Sequence, residues 1–110
     1  MNVKYERQLK KGIFEILVLS LLAENDKYGY QLISEMEEKS GGMFKVKEGT
    51  LYPILYRLED EGLVVSKWSE PKEREMVRKY YSITMAGIVV LDDMKDLWKR
   101  FEKSVNSILK

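Results

Sequence analysis

The chain has 110 residues, and its 19 Lys and Arg against 18 Asp and Glu give a formal net charge of +1 at pH 7. This length fits one domain, and 45% hydrophobic with 34% charged residues is typical of a globular chain. Neither cysteine nor histidine occurs, which excludes disulfides, Cys/His zinc sites, Ser-His-Asp triads and histidine general bases. We therefore expect no enzyme and no cofactor, and the lack of cysteine is compatible with a cytoplasmic location.

The first segment of the chain is predicted to form one helix over residues 5–23. The apolar stretch 13–23 follows basic residues, as in a signal peptide, but Glu15 interrupts it and no small-x-small cleavage site follows. The stretch is also shorter than the ~20 apolar residues that a membrane span needs. We therefore expect a helix that is buried on several sides, and no membrane partner.

Two further helices are predicted over residues 28–40 and 48–61, with Gly41-Gly42 between them. Pro53 lacks an N–H group and is tolerated best in a first turn. Either the third helix therefore begins at Thr50 as its N-cap, or its first turn is distorted. The apolar face of this helix has the spacing i, i+3, i+4, i+7 and consists of Leu51, Ile54, Leu55 and Leu58.

After the third helix the period of the apolar residues changes to two. Residues 63–68 and 78–84 are predicted strands of a hairpin, and residues 85–110 are a long final helix with an apolar stripe. This order predicts an α+β, mostly α fold, the winged helix-turn-helix with a long C-terminal dimerisation helix. We expect a winged-helix DNA-binding domain over residues 1–84, and a last helix packed with helix 5–23 in the same structural domain.

In a winged helix, the third helix and the hairpin meet DNA. Polar residues at the N-terminal end of the third helix lie where backbone N–H groups and the helix dipole favour phosphate. Basic residues of the hairpin would reach the neighbouring backbone. Other roles stay open for these residues. Lys47 and Thr50 could serve only as helix caps, and the tyrosines of the third helix could pack against the second helix. The hairpin charges could form a solvated face.

Three motifs resemble those of PadR-family transcriptional regulators: YGYQL at residues 28–32, GTLYPILYRLE at 49–59 and RKYYSITMAG at 78–87. Their order and spacing are the family's, and the single C-terminal helix is similar to the small subfamily. The resemblance implies a homodimeric repressor on an inverted-repeat operator in double-stranded DNA. Residues 70–77 lack the glycines of many family wings, which leaves open which wing residues touch DNA. The DNA-binding residues that we predict are Tyr30, Lys47, Gly49, Thr50, Tyr52, Tyr56, Arg74, Arg78 and Lys79.

The apolar stripe of the last helix is longer than a core of this size can cover, which predicts an oligomer interface. Trp98 lies on this stripe. In multidrug-responsive members of the small subfamily, which this chain resembles, a tryptophan from each protomer flanks a central pore for planar aromatic compounds. The resemblance implies a ligand site that consists of Gly12, Glu15, Ile16, Trp98 and Glu102. A plain dimer interface without a ligand is an equally open alternative.

Two other functional classes remain as alternatives to a DNA-binding regulator. A winged-helix module that binds protein without DNA is slightly favoured by the near-neutral charge, and salt-dependent duplex binding would distinguish the two. An enzyme would have to use acidic runs such as Asp92-Asp93 or Glu59-Asp60-Glu61. We interpret these runs as solvated charge on helix surfaces and ends.

Overall fold

The structure is a computed structural model that describes residues 3–110. The α+β, mostly α class and the predicted order of helices and hairpin are confirmed, with one helix break and one short strand added. The elements are α1 (Val3–Lys10), α2 (Phe14–Glu24), β1 (Lys27–Tyr28), α3 (Gly29–Lys39), α4 (Glu48–Asp60), β2 (Val64–Trp68), β3 (Lys79–Ile83) and α5 (Met85–Leu109).

The prediction of one continuous helix over residues 5–23 is wrong, because α1 and α2 are separate helices. Gly12 between them has a φ of +85°. This left-handed conformation ends an α-helix, and glycine adopts it without a steric penalty. No atom of the described chain lies within 4 Å of a Cβ built at Gly12, so the backbone turn, not a lack of space, requires glycine here. The buried side chains of α2 are those of Val18, Leu19, Leu21 and Leu22.

The third predicted helix is α4, and its start differs from the expectation. Lys47 is the N-cap, and the Leu51 N–H donates to the Lys47 carbonyl at 2.9 Å. Thr50 therefore lies inside the first turn and is not the N-cap. Pro53 is also inside the helix, where the carbonyl of Gly49 loses its usual N–H partner. Gly49 is exposed, so solvent can satisfy this carbonyl.

The sheet has three antiparallel strands in the order β1-β3-β2. The predicted hairpin is confirmed, with Val64 opposite Ile83 and Trp68 opposite Lys79. Strand β1 was not predicted, and its two residues pair with the other side of β3. Lys27 of β1 is buried and pairs with the carboxylate of Glu35 in α3 at 3.4 Å. Because β1 leads directly into α3, its pairing with β3 attaches the start of α3 to the wing hairpin.

The long α5 helix begins at a close contact with the loop before β2. The Thr84 hydroxyl accepts a hydrogen bond from the Gly87 N–H at 3.0 Å and donates one to the Gly62 carbonyl at 2.7 Å. Leu91 is the last fully buried side chain of α5. Beyond Met94, which is half-buried, the apolar stripe is exposed, and the molecule extends over 57 × 32 × 21 Å. Within residues 3–110, every helix is too short or too polar to cross a membrane.

Candidate nucleic-acid interface

The N-terminal end of α4 presents a set of polar groups to solvent. Lys47, Gly49 and Thr50 are all exposed there. Lys47 occupies the N-cap position, but its side chain makes no capping hydrogen bond, and Thr50 is not the N-cap residue. Backbone N–H groups of a first turn lack helical partners and carry the positive end of the dipole. This end of α4 is therefore suited to an anion such as a DNA phosphate.

The tyrosines of this region differ in exposure. Tyr30, in the first turn of α3, is 68% exposed, and Tyr56 of α4 is 49% exposed. Tyr52 is half-buried against α3, where a Cβ added at Gly29 would lie 2.8 Å from the Tyr52 ring carbon Cζ and closer still to its hydroxyl oxygen. Burial raises the pKa of Tyr52 above its ordinary value. Packing against the second predicted helix, an alternative left open by the sequence, therefore describes Tyr52 better than Tyr56.

The wing is connected to both helices of the helix-turn-helix. The Lys79 ammonium lies 5.7 Å from the ring centroid of Tyr56 on α4. The Arg78 guanidinium lies 4.4 Å from the ring centroid of Tyr28 and donates a hydrogen bond to the Tyr28 hydroxyl. Arg78 nevertheless remains exposed. Tyr52, nearer the start of α4, lies against Gly29 of α3 and next to the Tyr56 ring, so the starts of α3 and α4 and the base of the wing form one connected surface through these two tyrosines.

The tip of the wing carries the remaining predicted DNA-binding residue, Arg74. It has a φ of +67° and is exposed in the turn in which the Glu75 N–H donates to the Lys72 carbonyl at 3.1 Å. The tip is separated from α4 by the length of the hairpin. Arg74 is therefore an exposed positive charge at the end of the hairpin farthest from the Val64–Ile83 pair.

A second predicted site lies between α5 and the α1–α2 break. An apolar cavity of about 390 Å³ brings together three of the five predicted ligand-binding residues, Gly12, Ile16 and Trp98. The two acidic residues are placed elsewhere. Glu15 forms an ion pair with Arg57 of α4, and Glu102 does not line the cavity. Trp98 is 47% exposed in the single chain.

A helix-turn-helix followed by a wing, with exposed basic and polar groups at the start of the second of its helices, defines a winged-helix DNA-binding protein. Comparison with known proteins agrees with this class. Residues 18–93 match the transcriptional regulator PadR-like family. The chain belongs to this family of transcriptional regulators, which bind DNA and are not enzymes.

Several relatives are similar over most of the chain. Transcriptional regulator Rv3488 of Mycobacterium tuberculosis is 32% identical over 87 residues, which cover 79% of this chain and 77% of that protein. The negative transcriptional regulator PadR of Bacillus subtilis is 27% identical over 81 residues, and the match covers 74% of this chain but 44% of that protein.

Solved structures share the whole fold. A transcriptional regulator from Clostridium thermocellum has a TM-score of 0.85 and 32% identity, covering 94% of this chain and 99% of that one. A PadR-family regulator from Clostridium difficile has a TM-score of 0.81 and 34% identity, covering 90% of this chain and 100% of that one.

Proposed function

We propose that the protein is a repressor that binds as a homodimer to an inverted-repeat operator. The observation that carries this proposal is the connected surface formed by the starts of α3 and α4 and the base of the wing. Lys47 and Thr50 are exposed on it, and Arg78 reaches it from the wing. A surface of this shape and charge would place α4 in a major groove and the wing on the adjacent backbone.

The homodimer is supported by the exposed apolar stripe of α5. Leu97, Trp98 and Phe101 are 45%, 47% and 58% exposed, and all three line the cavity beside the α1–α2 break. Apolar surface of this extent on one helix is typical of an interface between chains. A second copy would cover the stripe and present two α4 helices related by a two-fold axis. Such a dimer recognises half-sites about 34 Å apart, which explains an inverted repeat.

Repression would follow from occupancy of the operator. The relative from Bacillus subtilis is a negative transcriptional regulator, which supports a repressor role here. A planar aromatic ligand that stacks on Trp98 would release the protein if it bound the DNA-free arrangement of the dimer better than the DNA-bound one. Glu15 is already paired with Arg57, so such a ligand would depend on stacking rather than on this carboxylate.

The decisive experiment is footprinting on the DNA upstream of the protein's own coding region. We expect protection of an inverted repeat, and salt-dependent affinity for it. Lys47→Ala and Arg78→Ala should each weaken binding to all sequences and lower the salt slope by about one, whereas Tyr30→Ala should relax specificity at a cost of about 1–3 kcal/mol. Lys95→Ala, on the exposed surface of α5, is the matched control.

Two outcomes would contradict the proposal. Absence of salt-dependent duplex binding would favour the alternative, a winged-helix module that binds protein and not DNA. Equal operator affinity for the wild type and the Lys47→Ala, Arg78→Ala double variant would place the DNA surface elsewhere on the molecule.

A further inference from the structure

A basic cleft lies between α1 and the segment that leads into α4. Its volume is about 910 Å³, and it opens to solvent next to the first turn of α4. Among the described residues that line it, Glu6 is the single acidic one. The basic residues come from two separate parts of the chain, which form the two walls of the cleft. The wall formed by α1 and the residue after it carries Arg7, Lys10 and Lys11, and the wall formed by the segment before α4 carries Lys45 and Lys47.

One of these basic residues, Lys10, joins the two sides of the cleft, and the others form no ion pair with another residue that the structure describes. Lys10 pairs with Glu6 at 3.1 Å, donates to the Met43 carbonyl and lies 5.2 Å from the ring centroid of Phe44. Lys10 therefore fixes α1 against the loop before α4. The remaining basic side chains are exposed and form no ion pair within residues 3–110. They are those of Arg7, Lys11, Lys45 and Lys47.

Burial in the hydrophobic core does not hold α1 in this position. None of its residues is buried. The positive φ of Gly12 separates α1 from the buried helix α2, and Lys10 holds it beside the loop before α4 through polar and ring contacts. Bringing like charges together in one cleft raises the free energy of the isolated protein, and a bound polyanion would lower it.

We propose that this cleft holds the sugar-phosphate backbone next to the groove that α4 enters, so that α1 is a third DNA-binding element beside α4 and the wing. The inference rests on the proposed DNA-binding function and extends its surface. Lys47 and Thr50 belong both to the α4 site and to the cleft, which makes the two surfaces continuous. Arg7 of α1 and Lys45 of the segment before α4 both line the cleft, and in this proposal they contact phosphates that α4 itself does not touch.

Arg7 and Lys45 are the informative pair for a test. Lys11 also lines the apolar cavity beside Trp98, and Lys47 belongs to the α4 site. The Arg7→Gln, Lys45→Gln variant removes one charge from each wall. Its control, Lys95→Gln with Lys99→Gln, removes the same charge from exposed positions of α5 that line neither cavity.

The measurement is fluorescence anisotropy with a labelled duplex of mixed sequence, titrated at several salt concentrations. The salt slope of the Arg7→Gln, Lys45→Gln variant should fall by about 1.8 for each protomer on DNA, from a slope of about 0.9 per phosphate contact. For the homodimer the slope falls by about 3.6 in total, so between 50 and 200 mM salt this variant should lose about 150-fold less affinity than the wild type. The control variant should keep the wild-type slope, and so should the single Arg7→Lys variant, because it keeps the positive charge.

The outcomes separate this inference from the proposed function. If Lys47→Ala weakens binding but the Arg7→Gln, Lys45→Gln variant matches its control, the cleft does not hold DNA, and the α4 site stands. If the wild type shows no salt-dependent duplex binding, the proposed function fails, and the cleft fails with it. Both substituted side chains are exposed, so an unchanged circular dichroism spectrum is expected for each variant.

Discussion

Gly87 is where the long α5 helix touches the winged domain, and an added methyl group should loosen this contact. A Cβ at Gly87 would lie 2.7 Å from Cγ1 of Ile83 and closer still to the carbonyl oxygen of Leu63. Carbon atoms in contact are normally about 3.5–4.0 Å apart, so the helix or the loop must move by roughly 1 Å. Overpacking of this kind costs about 1–3 kcal/mol, and the better helix propensity of alanine offsets up to ~1 kcal/mol.

We therefore expect Gly87→Ala to lower the free energy of unfolding by about 1–2 kcal/mol, which corresponds to a Tm lower by roughly 5–15 °C. The assay is thermal unfolding followed by far-UV circular dichroism at one fixed protein concentration, since association couples to stability. Gly49→Ala is the matched control, because a Cβ at Gly49 meets no atom within 4 Å. This control should melt at or slightly above the wild type. A Gly87→Ala protein that melted as high as the control would refute the reasoning.

Three further predictions concern the interface, the core and the ligand. Leu97→Asp should reduce the sedimentation mass from about twice 13.0 kDa to that of the monomer, because it places a charge in an apolar seam; unchanged association would contradict this. The Tyr81 hydroxyl is buried without a hydrogen-bond partner within residues 3–110, and burial raises the pKa of Tyr81 to about 12. Stability should therefore fall as pH rises from about 10, the unfolded pKa, towards 12, and Tyr81→Phe should abolish this contribution and add ~1 kcal/mol at neutral pH. In a Trp68→Phe background, a bisbenzimide dye should quench Trp98 fluorescence at one dye per dimer, and Trp98→Ala should abolish dye binding without breaking the dimer.

The helices with one clear apolar face could be predicted from the sequence to within one or two residues. Residues 48–61, for example, correspond to Glu48–Asp60 because their core positions follow the helical period. The break at Gly12 could not be predicted in this way. Apolar residues follow it directly at Ile13 and Phe14, and a single glycine is tolerated inside a helix. Strand β1 has only two residues and carries no period at all.

The candidate site was predictable only where its residues are neighbours in sequence. Residues 47–52 lie together because one helix start presents them. The contact of Arg78 with Tyr28 and the pair of Glu15 with Arg57 join residues 50 and 42 positions apart. Side chains this distant in sequence meet only through the packing of several elements, and no local pattern encodes them. The pairing of Glu15 is the reason why an acidic residue expected at the ligand site lies outside it.

The last turns of α5 link the folding of this helix to protein concentration. Beyond Met94 every residue of the helix is exposed in the single chain, and only Leu97, Trp98 and Phe101 line the cavity beside the α1–α2 break, so this part has little tertiary packing of its own. Isolated helices of about 12–15 residues are only marginally stable in water. Pairing with a second copy would therefore supply most of the free energy that keeps these turns helical. Dilution below the dissociation constant should then reduce the helical content while the winged domain stays folded, and part of the binding energy between protomers would be spent on ordering α5.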